Sequence, residues 1–334
     1  MNSVAETAQP SSILYLKPYF SHTVWGGTKI RECFGYDESG DDIGECWGIS
    51  AHPDGMTYVA GGEYNGRSLA DLWENERHLF GSSSDRFPLL VKIIDARDDL
   101  SIQVHPDDEY ARKYENGSLG KSECWYILDC SDDAKLIIGH NAKTREELAD
   151  MIQSGKWNEL IREVPVKKGD FIEIVPGTMH AIKGGVTLLE TQQNSDITYR
   201  VFDYGRLWNG RPRQLHTRQS MDVITVPASA PLIRHFDTGI ENVSLMNESG
   251  HAAMTGSSFD VMCQNPRYSV YKANVRNDSL ELPMPHSFMN ATVIAGSGEL
   301  CGHPVKLGDN VILTTACSKL RFDGQMLVIL SGVD

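Results

Sequence analysis

Four side chains that can coordinate a metal ion occur in three short segments of the sequence: Gln103, His105, Glu123 and His180. Two imidazoles, one carboxylate and a further oxygen donor suit a divalent transition metal that keeps one position open for a substrate. The competing interpretation is structural, because His105 could simply begin a His-Pro-Asp-Asp turn and Glu123 could be solvated. Four donors on polar strand faces favour a metal site over that alternative.

A predicted strand carries the first two donors. Side chains alternate along a strand, so Ile102 and Val104 occupy one face, and Ser101, Gln103 and His105 occupy the other. A strand with one apolar face and one face of ligand-type groups is unusual as pure structure. We therefore expect Gln103 and His105 to reach the same point.

The remaining donors belong to two further segments. Lys121, Glu123 and Trp125 share one face of the next predicted strand. A later strand ends at the turn Pro176-Gly177 and is followed immediately by His180. Three β segments thus point donors toward a common site.

A fourth stretch, residues 190–206, adds charged groups. By strand alternation Asp196, Thr198 and Arg200 share a face. Arg200 is a planar, permanently charged donor suited to an oxyanion or a phosphate. The alternative is a surface pair between Asp196 and Arg200, which would contribute little stability.

The whole chain limits the classes of partner. It has 334 residues and a net charge of −14, so phosphate lattices of nucleic acids or anionic membranes would repel it. No apolar run approaches the length of a membrane span, and residues 1–13 predict a disordered lead without a signal peptide. Seven scattered cysteines without a Cys-x-x-Cys pair indicate reduced thiols and a cytoplasmic protein.

Short β-type runs dominate the predicted organisation, with two helical insertions at about 68–81 and 144–162. The amino-acid composition changes near 225–235. We therefore expect a catalytic domain over 14–230 and a C-terminal β domain over 231–334. The histidines of the C-terminal part lack ligand spacing, so we expect no metal there; they are His235, His251, His286 and His303. The predicted strands of the first domain are 47–51, 88–94, 100–105, 122–128, 134–138, 171–175, 186–191 and 197–203.

Several sequence segments, taken together, resemble those of known protein families. The series Gly169, Pro176-Gly177 and His180 resembles the second motif of the cupin barrels. In the order and spacing that they have here, the following segments resemble the short bacterial form of type I mannose-6-phosphate isomerase: Trp25-Gly-Gly, Gly44-Glu-Cys-Trp-Gly-Ile-Ser-Ala-His-Pro-Asp-Gly55, Leu100-Ser-Ile-Gln-Val-His-Pro-Asp-Asp108, Lys121-Ser-Glu-Cys-Trp-Tyr126, Pro176-Gly-Thr-Met-His180 and Ser195-Asp-Ile-Thr-Tyr-Arg200.

The resemblance implies a mainly β fold of two cupin-like jelly-roll barrels with helical insertions, and one zinc ion per chain. It maps metal binding onto Gln103, His105, Glu123 and His180, and some shorter members of the family use only the two histidines and the glutamate. It maps the sugar-phosphate pocket onto six residues: Trp25, Ser101, Lys121, Glu190, Asp196 and Arg200. Longer family members carry a basic residue a few positions after the arginine, and the candidate for it in this sequence is Arg206.

The reaction implied is interconversion of D-mannose 6-phosphate and D-fructose 6-phosphate through an enediolate. Arg200 would offset the developing oxyanion charge, and either Lys121 or Glu190 would transfer the proton. Ser101, with a nearby Lys or Arg, could hold the phosphate. The alternatives are a non-catalytic, sugar-phosphate-binding regulatory cupin and an iron dioxygenase, since two histidines and a glutamate also suit iron. We expect a monomer or a weak homodimer.

Overall fold

The computed structural model describes residues 11–236 and 256–334. Within these ranges the protein is mainly β, with antiparallel strands in four sheets of eight, seven, five and two strands, and this confirms the predicted fold class. Most of the predicted lead, and His251, lie outside the described residues. The first strand begins at Ile13.

The strands are numbered in chain order, and most of those predicted from the sequence are present with shifts of a few residues at their ends. They are β1 (Ile13–Lys17), β2 (Tyr19–Gly27), β3 (Ile43–Ile49), β4 (Tyr58–Val59), β5 (Leu89–Asp95), β6 (Ile102–Val104), β7 (Glu123–Asp129), β8 (Lys135–His140), β9 (Ile161–Pro165), β10 (Asp170–Ile174), β11 (His180–Ala181), β12 (Thr187–Gln193), β13 (Tyr199–Phe202), β14 (Leu207–Trp208), β15 (Arg211–Pro212), β16 (Leu232–His235), β17 (Ser258–Gln264), β18 (Ser269–Pro283), β19 (Met289–Leu300), β20 (His303–Lys306), β21 (Asn310–Leu313) and β22 (Lys319–Gly332).

Helices are short and few by comparison. They are α1 (Lys29–Phe34), α2 (Leu69–Asn75), a 3₁₀-helix (Arg77–Leu79), α3 (Asp108–Tyr114), α4 (Arg145–Gln153), α5 (Trp157–Leu160) and α6 (Thr217–Val223). Helices therefore lie within both stretches where insertions were predicted. The Thr144 side chain accepts a hydrogen bond from the Glu147 amide at the start of α4, as the capping-box spacing predicts.

Two sheets face each other around the metal-type donors. The seven-stranded sheet has the order β16-β10-β7-β12-β5-β3-β2, and the five-stranded sheet has the order β13-β6-β11-β8-β9. Buried side chains from both, such as Trp125, Ile138 and Leu188, form one apolar cluster. The donors on β6, β7 and β11 therefore project from two packed sheets, which is a rigid setting for a site.

The alternation predicted for β6 is present. Ile102 and Val104 pack with Leu148 and Met151 of α4 in a separate cluster on the outer side of the five-stranded sheet. Because neighbouring side chains point to opposite faces, Gln103 is directed away from that cluster. The α4 insertion thus covers the apolar face, and the polar face is left for the site.

The other face of the seven-stranded sheet packs against α2 and the C-terminal strands. An aromatic group joins them, in which Trp73 lies 4.9 Å from Phe80 and 5.7 Å from Phe288 between ring centroids. Such contacts are worth about 0.5–1.5 kcal/mol each beyond the area they bury. They connect α2 to the C-terminal part of the chain.

The eight-stranded sheet contains both ends of the described chain. Its path is β17-β18-β22-β19-β21-β1-β4, with β20 paired to β19. Strand β1 pairs antiparallel with β21, with Ile13 opposite Leu313, and it also pairs with β4. The division into domains at 13/14 and 230/231 stays a prediction.

No helix in the described part of the chain is both long and apolar enough to cross a membrane.

Candidate metal centre and active site

Three predicted metal ligands meet in the interior. One ligand-type atom from each of His105, Glu123 and His180 lies within 4.8 Å of the others, and all three residues are buried. They come from the end of β6 and the starts of β7 and β11. Among the described residues, this is the one cluster of three or more histidine, cysteine or acidic side chains spaced to hold a metal ion.

Hydrogen bonds fix which ring nitrogens carry protons. Nδ1 of His105 lies 2.8 Å from the carbonyl oxygen of Ile197, and Nδ1 of His180 lies 2.8 Å from that of Thr178. A carbonyl oxygen only accepts, so each Nδ1 is the protonated nitrogen and donates. Each Nε2 keeps its lone pair, which is the arrangement of metal-binding histidines.

These lone pairs face the Glu123 carboxylate. Nε2 of His105 lies 3.4 Å from Oε2 and Nε2 of His180 lies 3.3 Å from Oε1. Neither Nε2 of His105 nor Oε1 of Glu123 has a hydrogen-bond partner among the described residues. Lone pairs that face a carboxylate repel it unless a cation lies between them, so the donor set fits a bound metal ion.

The protonation state agrees with this fit. Burial lowers the pKa of His180 to about 4. Burial and the nearby Lys121 ammonium hold the pKa of His105 well below its ordinary value. Both rings are therefore neutral near pH 7, which is the form that donates to a metal.

Gln103 lies beside this cluster. Its Nε2 atom is 3.3 Å from Nε2 of His180, and its Oε1 atom accepts a hydrogen bond of 3.4 Å from the Ser101 hydroxyl. In this orientation the amide nitrogen, which cannot bind a metal, faces the cluster. A flip of the amide would exchange the two atoms, so the role of Gln103 as a ligand stays a prediction.

A cavity of about 360 Å³ adjoins the cluster. Six residues predicted from the sequence to bind substrate line it, together with Gln103. Asp196, Thr198 and Arg200 are all among the lining residues, although β13 begins only at Tyr199. The lining residues are Tyr19, Ser21, Thr23, Trp25, Glu45, Trp47, Asp54, Lys92, Ile94, Leu100, Ser101, Gln103, Lys121, Ile182, Glu190, Asp196, Thr198, Arg200 and Arg213.

Lys121 and Glu190 occupy different electrostatic settings in the cavity wall. The Lys121 ammonium lies 3.1 Å from Oε2 of Glu123 and 4.0 Å from Oε1 of Glu190. Burial alone would lower the pKa of Lys121, but these two carboxylates outweigh burial and raise it above its ordinary value. Burial, reinforced by Glu123, also raises the pKa of Glu190. The lysine is held charged, and the glutamate is moved toward its neutral form.

Glu190 is also fixed in position. Its Oε2 atom accepts a 3.0 Å hydrogen bond from the Trp125 indole, while Oε1 is buried without a hydrogen-bond partner among the described residues. Trp125 and Glu190 lie opposite each other on β7 and β12. One oxygen is thus anchored and the other is left for a substrate group.

Lys92 is a cavity residue that was not expected from the sequence. Its side chain is 2% exposed, and its ammonium lies 3.4 Å from Asp196, 3.8 Å from Glu45 and 4.0 Å from Glu190. It also lies 4.3 Å from the centroid of the Trp47 ring. The signal was present, because Lys92 interrupts the apolar run of β5, and a lysine is almost never buried without partners.

Arg200 and Arg213 form a positive region of the cavity wall. Nε of Arg200 is buried and has no hydrogen-bond partner among the described residues. Burial and the nearby Arg213 guanidinium both lower the pKa of Arg200. Asp196, which could have paired with Arg200, contacts Lys92 instead. Arg213 has a direct carboxylate partner, Asp203, whereas Arg200 has none among the described residues, so this pair of guanidinium groups suits an anionic ligand.

Arg213 rather than Arg206 reaches the cavity. Its Nε atom donates to Oδ2 of Asp203 at 2.8 Å, which fixes the guanidinium. Arg206 binds the same carboxylate at 2.6 Å and the backbone carbonyl of Asp99, and it does not line the cavity. Its position therefore does not support Arg206 as the second basic residue. Arg213 lies in a stretch without strand periodicity, so the sequence carried no signal for it.

Trp25 closes one side of the cavity and depends on a close glycine contact. It is 4% exposed. A Cβ atom on Gly44 would lie 2.7 Å from the Trp25 ring and 2.1 Å from the Thr23 hydroxyl. Glycine at position 44 is therefore required for the indole to lie against β3.

The geometry has counterparts among known proteins. A family model described as "Phosphomannose isomerase type I, catalytic domain" matches residues 13–126. The mannose-6-phosphate isomerase ManA of Bacillus subtilis (strain 168) is 44% identical over 324 residues, which cover 95% of this chain and 98% of ManA.

Solved structures agree with these matches. The crystal structure of the mannose 6-phosphate isomerase from Bacillus subtilis has a TM-score of 0.86 and 43% identity, and it covers 97% of this chain and 100% of its own. A mannose 6-phosphate isomerase bound with zinc and yttrium has a TM-score of 0.72 at 15% identity, over 97% of this chain and 100% of its own. At that identity the likeness concerns the fold alone.

Proposed function

The chain belongs to the type I mannose-6-phosphate isomerase family, and from this premise we propose that it interconverts D-mannose 6-phosphate and D-fructose 6-phosphate with one zinc ion bound by His105, Glu123 and His180. The observation that carries the proposal is the meeting of His105, Glu123 and His180, with Nε2 of His105 and Oε1 of Glu123 unpaired, beside a cavity with two guanidinium groups. Family membership favours this reaction over the regulatory cupin and the iron dioxygenase.

Zinc is supported by donor chemistry. Two neutral imidazoles and one carboxylate are a frequent zinc set that leaves a position open for substrate. The mannose 6-phosphate isomerase bound with zinc and yttrium holds the same ion, although that protein is only 15% identical to this chain. When bound, zinc would polarise oxygen atoms of the open-chain sugar.

We assign the substrate phosphate to Arg213 and the developing enediolate charge to Arg200. Arg213 is held by Asp203, so its guanidinium is ready to meet a phosphate without reorganisation. Arg200 lies opposite Gln103 in the pairing of β13 with β6, which puts it next to the proposed metal centre. A well-placed donor of this kind stabilises a developing oxyanion by about 3 kcal/mol.

Glu190 is the better candidate for moving the proton between the two sugar carbons. Lys121 is engaged by Glu123 at 3.1 Å and is held charged, so it has no lone pair to accept a proton. Glu190 has one anchored and one unpaired oxygen, and its raised pKa brings proton gain and loss closer to neutral pH. We therefore assign Lys121 to holding substrate oxygens and Glu190 to proton transfer.

A coupled assay for fructose 6-phosphate tests the proposal. The purified protein should convert mannose 6-phosphate, lose activity when treated with a chelator, and regain it when zinc is added back. His105→Ala should lose both zinc and turnover, whereas His78→Ala, at an exposed histidine, should keep both. Equal zinc in the parent protein and His105→Ala would remove His105 from the ligand set. If the fully zinc-loaded protein bound the sugar phosphate without turnover, a non-catalytic regulatory cupin would describe it better than an isomerase.

A further inference from the structure

Two cysteines in the connections between strands of the eight-stranded sheet lie together outside the active site. The sulfur of Cys301 is 3.3 Å from the backbone carbonyl oxygen of Lys319, and the sulfur of Cys317 is 3.1 Å from the same oxygen. Because both sulfurs contact the same oxygen, the distance between the two sulfurs cannot exceed the sum of these two distances. The thiols also hydrogen-bond each other. We propose that Cys301 and Cys317 form an oxidisable dithiol that hydrogen peroxide converts to a disulfide.

The backbone at Cys301 is the first support. Cys301 and Gly302 are the two central residues of the hairpin turn between β19 and β20, where Leu300 pairs with His303. Both central residues have positive φ, 53° and 80°. Such turns favour asparagine, aspartate or glycine at the first position, because other side chains are strained there. A cysteine held in this conformation beside a second thiol suggests that the sulfur itself is used.

The difference in exposure is the second support. Cys301 is partly accessible, whereas Cys317 is 6% exposed. A peroxide can therefore reach the first sulfur while the second stays behind it. This is the arrangement of redox-active pairs, in which an accessible thiolate reacts first and a neighbouring cysteine resolves it.

Thiol acidity agrees with these roles. The hydrogen bond from Cys317 lowers the pKa of the Cys301 thiol. The partly accessible Cys33 and Cys130 have thiols whose pKa is raised by burial. Since the thiolate is the nucleophile, Cys301 is the more reactive of these three.

The chemistry balances in two steps. The Cys301 thiolate attacks one oxygen of hydrogen peroxide, the O–O bond breaks, and the departing hydroxide takes up the thiol proton to give water and a sulfenic acid. The Cys317 sulfur then attacks the Cys301 sulfur, the S–O bond breaks, and the hydroxide leaves with the Cys317 proton as a second water. Two thiols are oxidised by two electrons, and one peroxide is reduced to two waters.

A second close pair in the same chain serves as an internal control. Cys124 and Cys263 also interact, but both are 1% exposed. If accessibility of the first sulfur decides reactivity, this pair should stay reduced while Cys301 and Cys317 react.

Thiol counting and peptide mapping on the full-length, zinc-loaded protein test the proposal. A small excess of hydrogen peroxide should reduce the free thiols from seven to five. Trypsin should then release peptides 277–306 and 307–319 joined and two hydrogens lighter, and a thiol reductant should separate them. Cys130→Ser, the matched control, should form the same linked peptide. A linked peptide between other cysteines, or between two chains, would overturn the proposal.

Two variants separate the steps. In Cys317→Ser the reaction should stop at a Cys301 sulfenic acid that dimedone labels, at least tenfold faster than it labels Cys130. In Cys301→Ser residues 307–319 should stay reduced. The disulfide closes the loop 301–317, so the oxidised parent protein should melt roughly 5 °C higher than the reduced one, with no shift in Cys301→Ser. Unlabelled Cys301 in Cys317→Ser, or an unchanged melting temperature in the linked protein, would contradict the assignment.

Discussion

Replacing Lys92 with methionine tests whether the buried positive charge organises the carboxylates of the cavity. Methionine keeps an unbranched apolar stem but removes the ammonium that lies 3.4–4.0 Å from Asp196, Glu45 and Glu190. Lys92 and Lys121 are the two ammonium groups that neutralise these carboxylates. The substitution therefore leaves the carboxylates with one neighbouring ammonium group instead of two.

The magnitude follows from burial and distance. A pair 4 Å apart attracts by about 4 kcal/mol at an effective dielectric constant of 20, and removing one partner of a buried pair typically costs about 3–5 kcal/mol. The exposure of Asp196 reduces its contribution, so the buried Glu190 and the partly buried Glu45 dominate. We expect the melting temperature of Lys92→Met to fall by roughly 5–15 °C, with zinc content retained and turnover reduced at least tenfold. Lys92→Arg should recover most of the stability.

A surface lysine provides the matched control. Lys135 is half exposed and lies 3.1 Å from Glu163, which also pairs with Lys183. Exposed pairs contribute less than about 1 kcal/mol, so Lys135→Met should change the melting temperature by no more than a few degrees. Equal melting temperatures and turnover for Lys92→Met and the parent protein would refute the reasoning.

The loss in Lys92→Met should depend on pH. The pKa of Glu190 is already raised by burial and Glu123, and Lys92 is one of the groups that lowers it. Without Lys92 the folded-state pKa rises further above the unfolded value. A carboxyl group with a raised folded-state pKa destabilises the fold most when it is ionised. The deficit of Lys92→Met relative to the parent should therefore be largest near neutral pH and should shrink as the pH falls toward the unfolded value of about 4.3.

Three further predictions concern individual side chains. Arg200→Ala should lower kcat more than it raises KM, and Arg200→Lys, which keeps charge but not the planar fork, should recover only part of the activity; near-parental turnover in Arg200→Ala at saturating substrate would rule out its catalytic role. Asp203→Asn should weaken the hold on Arg213 and raise KM for mannose 6-phosphate about tenfold with a smaller change in kcat, and an unchanged KM would remove Arg213 from the phosphate site. His286→Gln should lower the melting temperature by a few degrees and leave turnover unchanged, because His286 contacts Tyr271 and Asp334 rather than the cavity; a hundredfold drop in turnover would place it in the active site.

The sequence predicted the site well where alternation along a strand determines which face a side chain occupies. The faces predicted for β6 are those in the structure, because a period of two leaves no freedom once the apolar face is buried. Asp196, Thr198 and Arg200 all line the cavity, but only Arg200 lies in β13, so strand alternation does not account for the first two. The meeting of His105, Glu123 and His180 followed from three such segments. Strand ends and the exact bounds of insertions were less well predicted, since neighbouring strands determine where pairing stops.

Other parts of the site depend on contacts that a linear pattern does not contain. Arg213 reaches the cavity because Asp203 holds it from an adjacent segment. The orientation of the Gln103 amide depends on Ser101 and His180 together. Lys92 was visible as a charge in an apolar run, but its partners come from β3, β12 and the loop before β13.

The pairing of β1 with β21 has a consequence for how the chain is made. The two strands are separated by almost the whole length of the described chain, with Ile13 opposite Leu313. A ribosome adds roughly 5–20 residues per second, so β1 waits roughly 15–60 s for this partner while only the two-residue strand β4 can cover its other edge. During that interval β1 presents unpaired backbone groups that another nascent chain could pair with. Translation that stops before residue 310 leaves this edge open permanently, so truncated products should aggregate even though every residue of the proposed active site has been made.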